Sequence, residues 1–209
     1  MDTPAPVYNR TLAFAASILG AVLFSTVFWG TSEAGPFPVN WPEWMSTPVQ
    51  LTVLFALPLG LVLASGGRLK APGLIWLIGA MTVVHWFAMT AAIEVATSND
   101  QERNGQLLGG LAGGTVGAVG SWIMLMLFGP AFRTGKALSM MAIATVVLAL
   151  IGAYGIGVGS LANLLSLIGG GAFAAPDLEP ASLTVALYLP WQIAYGAALA
   201  SLFEHHRIR

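Results

Sequence analysis

Six apolar stretches alternate along the chain with short segments that hold nearly all of its charge, at residues 11–29, 49–65, 74–96, 107–130, 137–165 and 183–203. A helix rising 1.5 Å per residue needs about 20 residues to cross a hydrocarbon core about 30 Å thick. The pattern therefore predicts an all-α fold: a polytopic membrane bundle of six transmembrane helices, one membrane domain over 1–209 with no soluble domain. The first stretch follows Arg10 as a signal peptide follows its charged flank, but its length and the spans after it favour a retained helix.

The connections fit this frame. Residues 30–48 contain Pro36, Pro38, Pro42 and Pro48 with Trp41 and Trp44. Proline forbids a long helix and tryptophan favours the headgroup level, so a surface loop is expected. Pro58 is expected to bend the second span. Residues 66–73 read as a tight basic turn, 97–105 as a polar loop holding Asp100, Glu102 and Arg103, and 167–182 as a loop or broken helix end. With the amino terminus cytoplasmic, the inner side collects Arg10, Arg68, Lys70, Arg133, Lys136, Arg207 and Arg209, every cation except Arg103. Glu33, Glu43, Asp100, Glu102, Asp177 and Glu179 fall on the other side. Cations mark the cytoplasmic loops, so both termini are expected inside, in the cytoplasmic (inner) membrane of a bacterium.

Within the fourth span Gly109, Gly113, Gly117 and Ser121 stand four apart and share one helix face, widened by Gly110 and Gly114. Gly155 and Gly159, with Gly152 and Ser160 nearby, repeat the theme in the fifth. Small residues at this spacing form a glycine zipper, letting helices approach backbone to backbone, so the fourth and fifth spans are expected to pack tightly on each other. A three-plus-three inverted repeat has a faint trace: Gly20 and Phe28 precede Gly120 and Phe128 by 100 positions, and Trp86 and Ala92 precede Trp191 and Ala197 by 105.

Composition narrows the chemistry. With 56% hydrophobic and 8% charged residues and a mean hydropathy of +0.79, the chain stands far from the roughly 25% charge of globular domains. There is no basic tract for nucleic acid. Cysteine is absent, which removes thiolate metal ligands, disulfides and cysteine nucleophiles. No Lys or Arg lies inside a span, and HExxH, GxSxG, Walker A and paired intramembrane carboxylates are all missing, so an enzyme is not expected.

His85, 11 residues after Leu74, falls roughly 16 Å into the bilayer. Polar groups at that depth need partners. In the sixth span Thr184, Tyr188, Gln192 and Tyr195 share one face by their spacing, and Tyr188 or Gln192 is the expected partner of His85. This is a candidate polar site between the third and sixth spans, or a hydrogen-bonded lock between two helices. Glu94, nine residues after His85, points nearly the other way and is read as a carboxylate at the outer mouth. Glu204, His205 and His206 read as a polar helix end, with no metal site. Three functions are compatible: a non-catalytic accessory subunit packing with other membrane proteins or with itself; a small transporter or channel for a neutral or weakly polar solute; and haem or chlorin binding with His85 as axial ligand.

Overall fold

A computed structural model describes residues 8–31, 47–99, 103–157 and 180–205, which are helical apart from short turns, with no strand among them. The proline-rich loop, Asp100, Glu102, Gly159, Ser160 and His206 lie outside the described residues, as does the Thr184 side chain. The elements are α1 (Arg10–Gly30), the single turn α2 (Thr47–Gln50), α3 (Thr52–Ser65), α4 (Ala71–Thr97), α5 (Arg103–Phe128), a 3-10 turn (Pro130–Arg133), α6 (Gly135–Gly157) and α7 (Pro180–His205). Five of them are long and apolar enough to cross a membrane, so this is an integral membrane protein. α7 is not among the five; it runs for 26 residues, and its described side chains begin at Tyr188.

Helix ends follow local chemistry. The second expected span divides at Leu51 into α2 and α3, and Pro58 sits inside α3. Gly67 closes α3 in the left-handed region at φ 66, and the Gly67 and Arg68 N–H groups bond the carbonyls of Ala64 and Leu63 at 3.0 and 2.8 Å. This glycine-dependent closure satisfies carbonyls that the helix end leaves open. α4 begins at Ala71 with Pro72 in its first turn, where a missing N–H would have had no helical partner. At the start of α6 the Thr134 hydroxyl accepts the Ala137 N–H at 3.3 Å, capping the helix.

The six long helices form a closed ring in chain order: α1 packs on α3, α3 on α4, α4 on α5, α5 on α6, α6 on α7, and α7 returns to α1. Each interface is built from small or apolar residues three and four apart. On α1, Ala13, Ala16, Ser17, Ala21 and Phe24 are buried; a Cβ at Gly20 would strike the Phe55 carbonyl of α3, and one at Gly196 of α7 would strike the Ser17 side chain. On α3 the buried set is Thr52, Phe55, Ala56, Leu59, Gly60 and Leu63.

The glycines of α5 serve two neighbours. A Cβ at Gly109 would lie 2.6 Å from the Ala92 carbonyl oxygen, and one at Gly113 would lie 2.8 Å from the Ala92 Cβ, both on α4. One at Gly110 would meet the Gly152 carbonyl, and one at Gly114 would stand 2.7 Å from the Leu148 carbonyl oxygen, both on α6. α5 and α6 thus approach closely at the positions flanking the Gly109–Gly113 stripe, while the stripe itself turns to α4. The 100° step between successive residues makes the division. Gly155 is also buried. Gly20 and Gly120 have unlike surroundings, a backbone carbonyl in one case and the Val84 side chain in the other, so this pair lends nothing to an internal repeat.

Apart from Arg103, which opens α5, the described basic residues cluster at one end. Arg10 pairs with Glu204 at 3.0 Å, bringing the start of α1 to the end of α7. The Tyr8 hydroxyl donates to the Ala200 carbonyl at 2.6 Å, and the Arg68 guanidinium donates to the Glu204 carbonyl at 3.1 Å while lying 5.1 Å from the Tyr8 ring centre. Burial first, and the Glu204 carboxylate second, push the Tyr8 phenol up to about 12. Lys136 and His205 approach to 3.2 Å. Beneath this network Leu63, Phe132, Leu199, Leu202 and Phe203 are fully packed.

Backbone approach at α5 makes a contrast testable. Gly110→Ala drives a methyl into the α6 backbone and is expected to destabilise by about 1–3 kcal/mol, as overpacking does. Gly79→Ala, with open space where its Cβ would go, is expected to be neutral or to gain up to about 1 kcal/mol. Thermal unfolding in detergent reads both, and equal midpoint shifts would contradict the packing.

Candidate functional site

About halfway along α4, the helices α3, α4 and α7 meet through side chains. The His85 Nδ1 lies 2.6 Å from the Thr52 hydroxyl and its Nε2 lies 2.8 Å from the Tyr188 hydroxyl. Phe24 of α1 covers the group, its ring centre 6.0 Å from that of His85 and 5.1 Å from that of Tyr188. The Thr52 hydroxyl also reaches the Pro48 carbonyl at 3.4 Å. A neutral imidazole donates from one nitrogen and accepts at the other. With the proton on Nδ1 the chain is satisfied throughout: Tyr188 O–H donates to Nε2, Nδ1–H to Thr52, and Thr52 O–H to Pro48. With the proton on Nε2 every donor reverses, and the Tyr188 hydroxyl proton is left to point elsewhere.

Tyr188 is one of the two partners expected for His85, and Gln192 is not bonded to it. Thr52 was not anticipated, although helix arithmetic contains it. Thr52 stands 13 residues before the end of α3 and His85 stands 14 after the start of α4, so the two sit at one height, about 20 Å from the basic end. Tyr195 is fully buried, stacked on Trp191 at 5.2 Å and on Trp122 at 5.3 Å, with its hydroxyl paired to Ser121. Trp122 in turn donates to Thr145 of α6 at 3.0 Å.

Between these side chains and α5 lies a cavity of about 570 Å³. Its floor is Gly110, Gly113, Gly114 and Gly117, and its walls include Phe55, Met81, Ala88, Tyr188, Trp191 and Gln192. The Trp191 ring overhangs the floor, since a Cβ at Gly117 would be 3.1 Å from it. Among the described lining residues none is Asp, Glu, Lys or Arg. The cavity reaches from Ser121 and Tyr195 at its deep end to Gln106, in the first turn of α5.

Two polar groups on the cavity wall are unsatisfied among the described residues, the Trp191 indole N–H and the Gln192 amide oxygen. Gln192 is only 4% exposed. Leaving such a group buried without a bond costs about 1–3 kcal/mol, and a native structure that does so calls for an explanation. The other expected positions separate from the site. Glu94 is exposed on the outer surface of α4 and does not line the cavity; Glu204 and His205 belong to the basic end. A haem or chlorin metal would need the lone pair of one His85 ring nitrogen, and Thr52 and Tyr188 engage both, so the donor set does not fit that ligand.

No protein-family model, curated protein or solved structure matches this chain.

The His85 bridge should behave as a unit. Thr52→Val and Tyr188→Phe are each expected to lower stability by about 1 kcal/mol, in the range of interhelical hydrogen bonds in membranes. Because both act through one imidazole, the double variant should fall short of the sum by more than about 0.5 kcal/mol. Strict additivity in a thermal or denaturant titration would mean that the two bonds are independent.

Proposed function

We propose that this protein is a six-span membrane transporter or channel that takes a small neutral or weakly polar solute into the cavity between α4, α5 and α7. The cavity with uncharged walls carries this reading. A scaffold subunit needs close helix faces but gains nothing from a hollow of 570 Å³ holding two unsatisfied polar groups. Its size falls within the roughly 300–1,000 Å³ of small-molecule sites, and its lining matches them: mostly apolar and aromatic, with few polar groups. The absence of buried charge among the described lining residues disfavours an ionic solute, for which desolvation would go uncompensated.

In this reading α7 is the sixth crossing, the termini are cytoplasmic, and the basic end faces the cytoplasm of a bacterial cell. The Arg10–Glu204 contact supports an even number of crossings, because it joins the beginning of the first helix to the end of the last. The cavity then reaches from the outer side past the middle of the bundle, to Ser121 and Tyr195, and the packed layer of Leu63, Phe132, Leu199 and Phe203 is the inner barrier a solute must pass.

Reconstituted liposomes test the function. The protein is expected to carry at least one neutral amide, polyol or aromatic solute more than about tenfold faster than protein-free membranes, a gap of about 1.4 kcal/mol in barrier. Gly117→Leu, which grows a side chain from the cavity floor, should return the rate to background while helix content and monodispersity persist. Background rates for the wild type across all three solute classes would overturn the proposal. The cysteine-free chain also suits topology mapping: a membrane-impermeant maleimide should label Asn99→Cys in intact cells and Thr134→Cys only after lysis. Labelling of both in intact cells would refute the orientation.

A further inference from the structure

The cavity walls restrict what can bind beyond its being small and neutral, and this argument rests on the reading of the cavity as a solute site. Its floor has no side chains: Gly110, Gly113, Gly114 and Gly117 present bare backbone over two helical turns. The Trp191 indole lies nearly parallel to the Tyr195 ring, at 15° and 5.2 Å between centres, and its edge rests against Gly117. The rings of Phe28, Phe55, Tyr188, Trp191 and Tyr195 all line the cavity, and a wall so rich in ring faces favours a flat aromatic occupant over a branched chain. Rings stacked on aromatic faces gain beyond their buried area.

The polar groups add a second restriction. The Gln192 amide is 4% exposed, its oxygen is unpartnered among the described residues, and so is the Trp191 N–H; both residues line the cavity. The terminal torsion of a glutamine is broad and roughly two-fold, so the amide can turn towards an occupant of the cavity. It then offers one acceptor and two donors, and the indole offers another donor. The Tyr188 hydroxyl can add one more when His85 carries its proton on Nε2. An occupant satisfies these groups when its edge holds both a carbonyl oxygen and an N–H or O–H. An anion at the same place would meet neutral donors only and would enter without a counter-charge.

We infer that the cavity binds a neutral planar ring carrying a carbonyl acceptor and an N–H or O–H donor at one edge, with Gln192 reading that edge and Trp191 covering the ring. Gln192 is a specificity-determining residue for this class. Burial of its orphan amide also ties the site to stability: Gln192→Leu should raise the melting temperature of the ligand-free protein while weakening recognition, because a leucine of similar size leaves no unmet hydrogen bond.

Three molecules sharing one ring decide it. Equilibrium dialysis of the full-length protein in lipid nanodiscs, corrected with empty nanodiscs, is run with 2-naphthamide, naphthalene and 2-naphthoate. The expected result is saturable binding of 2-naphthamide, about tenfold or more tighter than naphthalene, with no saturable binding of 2-naphthoate. In Gln192→Leu the advantage of the amide should vanish while naphthalene binding persists, which also reports that the cavity is intact. Equal affinities for naphthalene and 2-naphthamide, or tightest binding of 2-naphthoate, would overturn the ligand class yet keep the cavity as a binding site. Absence of saturable binding for all three would overturn the class outright, and the transport reading would then stand or fall on the liposome rates alone. The wild-type comparison decides the matter even if the variant does not fold.

Discussion

How near two helices can come in hydrocarbon is set by the side chains between them, because lipid supplies no hydrophobic drive to compensate for a gap. In this protein that limit is relaxed most along α5. Gly109 and Gly113 admit the backbone of α4, and Gly110 and Gly114, one step round, admit α6. The ring takes its geometry from this helix, since the two neighbours it holds so closely are the ones that carry His85 and Gly152. The same residues also make the hollow: a ridge without side chains cannot fill the space above it, and α7, which packs on α1 and α6, reaches over that space with the side chains of Tyr188, Trp191, Gln192 and Tyr195. Tight packing and open volume thus share one cause.

Polar groups obey a related rule. Backbone and side-chain donors inside a membrane have no water to fall back on, so they find partners within the fold. Thr52, His85 and Tyr188 do so across three helices, and Trp122, Thr145, Ser121 and Tyr195 tie α5 to α6 and α7 in the same way. The pairing is incomplete elsewhere: Ser17, Ser25 and Gln50 also hold buried polar atoms without a partner among the described residues, as do Trp191 and Gln192. Of these, Trp191 and Gln192 are the ones that line the cavity.

Much of this was legible in the sequence, for physical reasons that also explain the remainder. Apolar run lengths fixed the helices, with α4 beginning only three residues before its expected start because Pro72 suits a first turn. The stripe of Tyr188, Gln192 and Tyr195 was readable because a helical period places these residues on one face. It did not show that they would divide their roles, Tyr188 bonding His85, Tyr195 joining Ser121 and Gln192 bonding neither. Small residues announce close approach without naming the neighbour, so the stripe at Gly109 and Gly113 could be seen but its partner α4 could not. Thr52 could have been reached by counting back from the basic turn, which puts it level with His85, but a lone threonine near the start of a span carries no mark that tells a partner from a helix end. No pattern along a chain reports empty volume, since a cavity belongs to the relation among helices and not to any one of them.

The clasp between the first helix and the last has a consequence for how the molecule is made. Tyr8 and Ala200 are separated by 192 positions and His85 and Tyr188 by 103, so both contacts wait for the final segment to leave the ribosome. Until then the nascent bundle is an open crescent, with an imidazole holding one of its two bonds and the serine face of α1 turned to lipid. Docking of α7 shuts the crescent, completes the bridge and roofs the hollow in a single event, so closure of the ring and burial of the imidazole belong to the same moment of its synthesis.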